Sequence, residues 1–403
     1  MNQTLYILVD DFSNEHKEAF FENELPSLCS RFKKIYVISL YPENNKTLNF
    51  TADNLEVLDF NYFAACNRAQ VFKKNTAEIL RVFLTELKQT HNKLFYIKNF
   101  KSLLNQLVLT FAAAANLQAF IKKDINHETV FYCYWFKQWA AALSIISTRE
   151  PKLKFVSRVH GGDYDEGQIK TVLPFRYFQL AQVTHIFPVS EYGKTYLVSR
   201  FNTNPSKITI ARLGLALNSK TWLVEPTLLH IVSCSSVIPL KRVHLIAEIL
   251  KHVKIPCRWT HFGDGPLLKE IKHAGSSLQH TVDLKGHIPN KEFIAYLNIH
   301  PISCFINVSE SEGIPVSMME AIACGIPLIG TNVGGVSEIV TPETGFLLDS
   351  NFNAFETAEL IMRHHKNGTF YNANFRRGIT DFYVRTFYAP INHSKLASEL
   401  VNL

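Results

Sequence analysis

The sequence has no long apolar run that is free of polar residues. Its longest apolar stretch, residues 103–121, is interrupted by Asn105, Gln106, Thr110, Asn116 and Gln118. Since a membrane-spanning helix needs about 20 mainly apolar residues, we expect a buried or amphipathic helix here. The first apolar run is interrupted as well, by Asp10 and Asp11, and does not resemble a secretory signal.

Paired cysteines and metal-ligand spacings are also missing. The seven cysteines are odd in number and scattered through apolar segments, which favours reduced, buried thiols in a cytoplasmic protein. There is no Asp-x-Asp pattern at a plausible site and no His-x3-His pattern, and the His364-His365 pair is remote from the motifs described below. The sequence therefore predicts no metal site. It also has no internal repeats, low-complexity tracts or heptads.

Length and composition indicate a two-domain globular protein. With 403 residues, the chain is long for one core and sufficient for two domains of roughly 150–200 residues. Basic residues concentrate in residues 68–154, which hold 14 basic and 5 acidic side chains. This composition suits contact with anionic lipid head groups, and it equally suits a solvated lysine-rich face. The overall excess of basic over acidic residues is modest, and the sequence has no groove-reading motif. Both observations argue against nucleic-acid binding.

The most informative stretch is residues 303–340, which predicts a strand, a loop, a helix, a second strand and a glycine-rich loop. The first strand should end at the carboxyl edge of its sheet, where open α/β sheets bind ligands. Pro315 suits the start of the helix, and Gly325 with Pro327 ends it. Glu312 is therefore expected at the helix start and Glu320 within the helix. The amides of the first helical turn, beside Glu312, suit a phosphate.

A second loop is expected at the same sheet edge. Gly334 and Gly335 precede Ser337-Glu338-Ile339, which predicts a further helix start. The two glycines would let the backbone approach a ligand closely. The plain alternative is an ordinary βαβ unit whose surface helix carries two glutamates.

These residues resemble a known family. Glu312-Gly313-Ile314-Pro315, with Glu320 eight positions after Glu312, resembles the E-G-x-P…E signature of retaining GT-B glycosyltransferases of the glycosyltransferase family 4 (group 1) type. The resemblance implies that Glu312 contacts the donor sugar and that Glu320 contacts the ribose hydroxyls of a nucleotide sugar. It also implies donor contacts from the residues around the helix start, namely Gly313, Ile314, Pro315 and Val316.

Further donor contacts are implied at other strand ends of the second half. Lys241 and Arg242 follow the apolar run 229–237, and relatives carry an arginine five residues before this lysine that grips the donor diphosphate with it. Ser236 stands at that position, so Arg242 is the candidate replacement. The resemblance also implies contacts with the donor nucleotide from Gly263, Gly265, Gly286 and His287. It leaves open whether the nucleotide is UDP or GDP.

The first half offers one comparable strand end, at His160-Gly161-Gly162-Asp163. The resemblance implies that His160 faces the donor sugar and the acceptor, although a lone histidine is more often structural. Gly161, Asp163 and Asp11 are the candidate acceptor-side residues. The glycine-rich loop that relatives carry after the first strand is replaced here by residues 10–13, Asp-Asp-Phe-Ser.

The fold implied is α/β of the GT-B type, with two Rossmann-like doubly wound domains facing across a cleft and a C-terminal helix crossing back to the first domain. We expect an acceptor-binding domain in residues 1–215 and a linker in 216–227. A nucleotide-sugar-binding domain is expected in 228–375, and helices that return to the first domain in 376–403.

The implied function is retaining, metal-independent hexosyl transfer without a cofactor. The donor would be UDP- or GDP-linked, and the acceptor a glycan or lipid-linked saccharide of surface polysaccharide or lipopolysaccharide biosynthesis. The protein is expected in the cytoplasm, with peripheral contact to the anionic inner surface of the membrane. Two alternatives stay open: a catalytically idle GT-B binding or assembly module, and another GT-B enzyme such as a nucleotide-sugar epimerase. The oligomeric state is not predicted.

Overall fold

The chain divides into two units. The computed structural model describes residues 3–11, 19–41, 48–166, 172–217 and 228–403. The first unit consists of Met1–Leu213 with Ala389–Leu403, and the second of Gly214–Tyr388. Most of the predicted linker, residues 218–227, lies outside the described residues.

The described residues of the first unit form a six-stranded parallel sheet in the order β3-β2-β1-β4-β5-β6. Its strands are β1 (Thr4–Val9), β2 (Lys34–Ser39), β3 (Leu55–Leu58), β4 (Thr129–Cys133), β5 (Lys154–Val159) and β6 (His185–Pro188). Successive side chains of a strand point to opposite faces. Leu5 and Ile7 accordingly lie in one buried cluster and Tyr6 and Leu8 in another. Because both faces are covered, the central strands β1 and β4 are buried along nearly their whole length.

Helices cover both faces of this sheet. They are α1 (Ala19–Glu22), α2 (Leu25–Cys29), α3 (Arg68–Gln89), α4 (Lys93–Lys98), α5 (Phe100–Ile121), α6 (Gln138–Ser147), α7 (Gly161–Tyr164), α8 (Arg176–Gln182) and α9 (Glu191–Phe201), with 3-10 turns at Lys122–Asp124 and Pro205–Lys207. The segment Phe100–Asp124 is long and apolar enough to cross a membrane by length and composition alone. Its buried side chains, from Leu103 to Ile121, pack into the core of the unit. The sequence predicted a buried or amphipathic helix here, and this helix is buried on one side and exposed on the other, for example at Leu109 and Phe120.

The described residues of the second unit form another six-stranded parallel sheet, in the order β12-β11-β10-β7-β8-β9. The strands are β7 (Leu229–Cys234), β8 (Cys257–Phe262), β9 (Thr281–Leu284), β10 (Cys304–Asn307), β11 (Leu328–Thr331) and β12 (Gly345–Leu348). The central pair is β10 and β7, which are remote in sequence. Loops that follow these two strands therefore meet at one carboxyl edge, as in other open α/β sheets.

Helices and short turns complete the second unit. They are α10 (His244–His252), α11 (Leu268–Ser276), α12 (Asn290–Ile299), α13 (Val316–Ala323), α14 (Ala354–Lys366) and α15 (Ala373–Phe387), with 3-10 turns at Pro239–Lys241, Val336–Glu338 and Thr369–Tyr371. A last helix, α16 (Ala389–Val401), belongs to the first unit.

The C-terminal boundary differs from the prediction that all of residues 376–403 return to the first domain. Arg376 donates from its buried guanidinium to the carbonyls of Phe370 and Ile302, which fixes α15 in the second unit. The return begins at Ala389. From α16, His393 contacts the Asn23 carbonyl, with 2.8 Å between Nδ1 and the oxygen.

Candidate active site

Two loops meet at the carboxyl edge of the second sheet. The loop after β10 carries Glu312, and the 3-10 turn Pro239–Lys241 after β7 carries Lys241. The Glu310 N–H donates to the Leu240 carbonyl at 2.8 Å, which joins the two loops through their backbones. Because β10 and β7 are neighbours in the sheet, the two predicted residues are brought together.

Glu312 is the centre of the resulting polar cluster. Its side chain is 8% exposed, and its Oε1 accepts from Lys241 Nζ at 2.6 Å. The same oxygen accepts from Ser309 Oγ at 2.7 Å and from Asn307 Nδ2 at 3.2 Å. Lys241 keeps 21% of its side chain exposed. The ammonium of Lys241 is therefore held in place by Glu312, while part of the lysine side chain stays exposed.

Asn307 and Ser309 were not predicted as site residues. Both lie where β10 ends, and the Ser309 N–H donates to Asn307 Oδ1 at 2.9 Å. Asn307 and Ser309 thereby order the loop and hold the Glu312 carboxylate. A signal for them was present in the sequence, because polar residues directly after a buried strand lie at the ligand edge of the sheet.

Arg242 does not take the place that the sequence assigned to it. Its backbone is left-handed, with φ of 47°. Its Nε donates to the Val308 carbonyl at 2.7 Å and its Nη2 to the Ser309 carbonyl at 3.1 Å, while Nη1 donates to the Ser350 carbonyl at 3.0 Å. The side chain thus braces the loop that carries Glu312. The expectation that it replaces the arginine missing at exposed Ser236 loses its support.

The second predicted carboxylate lies on α13. Pro315 is the residue before this helix, and Gly325, with φ of 67°, follows its end. Glu320 is 2% exposed and accepts from Asn290 Nδ2 of α12, another contact that the sequence did not predict. Burial raises the pKa of Glu320 to about 7, and the Asn290 hydrogen bond acts in the opposite direction. A carboxyl that titrates near neutrality can accept or donate a hydrogen bond to a hydroxyl.

The glycines of the loop after β11 are required where this loop packs against the loop of Glu312. A Cβ on Gly334, where φ is +52°, would stand 1.8 Å from the Glu312 carbonyl oxygen. The Gly335 N–H donates to the Gly313 carbonyl at 3.0 Å. The close approach is therefore to the loop of Glu312. The predicted helix start is wrong, since Val336–Glu338 forms only a 3-10 turn.

The glycines after β8 lie at the same edge. A Cβ on Gly265 would stand 2.5 Å from the Val237 carbonyl oxygen, so this turn packs against the loop after β7. The Gly263 N–H donates to the Gly286 carbonyl at 2.8 Å, and His287 follows at the exposed surface. The structure thus gathers these predicted donor residues around one sheet edge of the second unit.

In the first unit, His160 follows β5 as predicted. Its ring lies 4.2 Å from that of Trp135, measured between centroids. Burial lowers the pKa of His160 well below its usual range, and the charges of Arg158 and Lys137 act in the same direction. The imidazole is therefore neutral at physiological pH. Among the described residues, its Nε2 is buried and has no hydrogen-bond partner.

Asp163 was predicted on the acceptor side. In the structure its side chain supports the turn that follows β5. Its side chain is fully buried, and its Oδ2 accepts from the N–H groups of His160 at 3.0 Å and Phe136 at 3.3 Å. Asp163 therefore holds the turn that contains Gly161 and presents His160. Lys137 Nζ lies 3.9 Å from carboxylate oxygens of Asp163 and Asp10. Asp11 is half-buried after β1, and residues 12–18 lie outside the described part of the chain.

In the described part of the chain, no group of three or more His, Cys, Asp or Glu side chains is arranged to hold a metal ion. The cysteines in the described residues are free thiols.

Comparisons with known proteins agree with this architecture. The family model "Glycosyl transferases group 1" matches residues 220–377. The amylovoran biosynthesis glycosyltransferase AmsK of Erwinia amylovora is 23% identical over 362 residues, which cover 86% of this chain and 87% of that protein.

Two solved structures share the fold over their full length. The lipopolysaccharide outer core galactosyltransferase WaaB has a TM-score of 0.70 at 11% identity, with 99% of each chain covered. Anabaena Alr3699/HepE in complex with UDP-glucose has a TM-score of 0.63 at 14% identity, with 99% of this chain and 100% of that chain covered. The family match lies within the second unit, and the fold shared with these solved structures is the GT-B fold that the sequence predicted.

Proposed function

We propose that this chain is a retaining glycosyltransferase. It moves a hexosyl group from a UDP- or GDP-linked donor to a glycan or lipid-linked saccharide, in the biosynthesis of a surface polysaccharide or lipopolysaccharide. The observation that carries the proposal is the pair of Lys241 Nζ and Glu312 Oε1, 2.6 Å apart at the carboxyl edge of the second sheet. The named activity of AmsK and the UDP-glucose bound to HepE support the donor class and the product class.

Lys241 and the start of α13 would stabilise the leaving nucleoside diphosphate. Negative charge develops on the diphosphate as the glycosidic bond breaks, and fixed donors aimed at that charge accelerate the reaction. The ammonium of Lys241 and the amides at the start of α13 are such donors. We therefore propose that catalysis needs no metal ion.

Glu312 would act on the sugar. Its carboxylate is held by Lys241, Ser309 and Asn307, so it cannot relax away when positive charge forms at the anomeric carbon. It is proposed as the electrostatic stabiliser of this charge, or as a nucleophile. Glu320 would bind the ribose hydroxyls through its buried carboxyl group. His160, neutral and with a free Nε2 among the described residues, would hydrogen-bond a sugar hydroxyl.

The test is product stereochemistry. The protein is incubated with UDP- and GDP-hexoses and a panel of saccharide acceptors, and the anomeric configuration of the first product is read by proton NMR. Retained configuration, with turnover unchanged in excess EDTA, is the expected result. An inverted product would refute retention, and loss of turnover in EDTA would refute metal independence. Nucleotide binding without transfer or donor hydrolysis would favour the idle-module alternative.

We also propose peripheral binding to an anionic membrane through α4 and the residue positions around it. Three apolar side chains are exposed there: Leu94 by 60%, Ile97 by 65% and Phe100 by 42%. They alternate with exposed Lys93, Lys98 and Lys101. Apolar side chains flanked by lysines suit the boundary between acyl chains and anionic head groups.

Sedimentation with phosphatidylglycerol vesicles tests this proposal. The wild type should bind these vesicles at low salt, and the double variant Leu94→Gln/Ile97→Gln should bind at least about 10-fold less, because each lost apolar contact weakens insertion. Ile299→Gln is the matched control, since Ile299 is 66% exposed in the second unit. A wild type that stays in the supernatant would refute membrane binding.

A further inference from the structure

The first unit contains a cavity that the donor site does not use. It has a volume of about 680 Å³ and lies between the segment after β3, one side of α5 and the start of α8. Gly162, from the turn that follows His160, is part of its wall. All of its lining residues belong to the first unit. A pocket of this size can take one or two sugar rings.

The charges on the wall have one sign. Arg68, Lys137 and Arg176 line the cavity, and none of the described lining residues is acidic. The remaining polar wall is formed by hydroxyl and amide side chains, among them Gln106, Thr110 and Gln138. Hydroxyls and amides suit sugar hydroxyl groups, whereas a guanidinium suits a carboxylate or a phosphate.

Arg176 is the most informative of the three cations. It is 3% exposed and follows Phe175, whose backbone is left-handed with φ of 60°. Its Nη1 donates to the Phe136 carbonyl and to Gln179 Oε1. Its Nε is buried and has no hydrogen-bond partner among the described residues. Burial lowers the pKa of Arg176 to about 10, so the group remains charged at neutral pH.

The carboxylates near these cations lie behind the wall. Glu86 and Asp163 are fully buried and do not line the cavity. Burial raises the pKa of Glu86 to about 7, which reduces its mean charge at neutral pH. Lys137 Nζ lies 3.9 Å from oxygens of Asp10 and Asp163, so these two ion pairs partly offset its charge. No acidic side chain, however, shares the described cavity wall with the three cations.

We propose that this cavity binds the acceptor and that the acceptor carries an anionic group, a phosphate or a carboxylate, on or next to the sugar that is extended. Arg68 and Lys137 contact the anionic group at the mouth of the cavity, and Arg176 contacts it from the floor. The hydroxyl and amide side chains contact the sugar. The inference rests on the proposed function, because it names the substrate class of that reaction.

Direct binding tests the inference independently of turnover. Ligand-observed NMR titrations compare glucose with glucose 6-phosphate and with glucuronate, the phosphate and carboxylate forms of the same ring. The wild type should bind at least one anionic sugar about 10-fold more tightly than glucose, which is the scale of one charge-assisted hydrogen bond. The anionic sugar that binds more tightly, glucose 6-phosphate or glucuronate, identifies the anion as a phosphate or a carboxylate. Equal binding of all three sugars, or no binding of either anion, would overturn the inference.

Variants then locate the binding. Arg68→Gln/Lys137→Gln should abolish the preference for the anionic sugar. Exposed Lys123, outside the cavity, provides the control Lys123→Gln, which should keep the preference. A preference that survives in Arg68→Gln/Lys137→Gln and is lost in Lys241→Gln would place the anion in the donor site and refute the inference. Failure of nucleotides to stabilise the protein would instead refute the proposed function, so the two failures are distinguishable.

Discussion

Replacement of Glu312 by glutamine separates the charge of this residue from its shape. Three donors converge on Glu312 Oε1, namely Lys241 Nζ, Ser309 Oγ and Asn307 Nδ2, at 2.6, 2.7 and 3.2 Å. The amide oxygen of glutamine can accept from the same donors, so the loop should keep its conformation. What disappears is the negative charge beside the donor sugar.

The expected loss in kcat is about 10²–10³-fold, the scale for removing one preorganised electrostatic group. The donor KM should change little, because the charge acts mainly when positive charge forms in the transition state. Stability should fall by about 1–2 kcal/mol, since a charge-assisted hydrogen bond becomes a neutral one. For a domain of this size that is a few degrees in Tm.

Steady-state transfer kinetics and thermal unfolding of Glu312→Gln measure these effects. Glu310→Gln is the matched control, because Glu310 is exposed on the same loop. It should leave kcat and Tm unchanged. A Glu312→Gln variant with full kcat and a lowered Tm would refute the reasoning and would make Glu312 a structural partner of Lys241.

Three further predictions concern other parts of the molecule. Glu320→Gln should raise the donor KM about 10-fold or more with little change in kcat, in steady-state kinetics, because Glu320 is proposed to bind the ribose; an unchanged KM would contradict that role. The free energy of unfolding of the wild type should fall by roughly 3 kcal/mol, relative to that of Glu86→Gln, as the pH rises from about 4.5 to about 7 in urea unfolding. The folded-state pKa of Glu86 is raised, so in this pH window the folded wild type binds a proton that the unfolded chain has released, and it loses stability as the pH rises. A pH-independent difference would refute the raised pKa. Gly334→Ala should lower both Tm and activity, because its Cβ would meet the Glu312 carbonyl oxygen, whereas Gly378→Ala, in open space on α15, should be neutral or slightly stabilising; equal effects of the two would contradict the packing argument.

The sequence predicted the elements of the site well where local signals were strong. The strand before Glu312, the proline before α13 and the glycine after it are local patterns, so Glu312 and Glu320 were located correctly in the fold. Lys241 and Glu312 meet because they follow β7 and β10, neighbouring parallel strands that end at a common edge.

Contacts between distant segments could not be predicted in the same way. Asn290 reaches Glu320 across 30 positions, and this contact depends on how α12 packs beside α13. The role of Arg242 depends on its left-handed backbone, which turns the guanidinium towards carbonyls of the loop after β10. The burial of Asp163 depends on Phe136, from another strand end. No local sequence pattern predicts any of these three arrangements.

The central claim is that the carboxyl edge of the second sheet binds a nucleotide sugar through Lys241. Thermal unfolding with UDP, GDP and their hexose conjugates, without added metal, tests it most directly, because a ligand that binds only the folded state raises Tm. One nucleotide class should raise the Tm of the wild type, because a ligand at 100 times its Kd adds about 2.7 kcal/mol to the free energy of unfolding. Lys241→Gln should lose most of this shift. No shift with any nucleotide, or an equal shift in Lys241→Gln, would contradict the account.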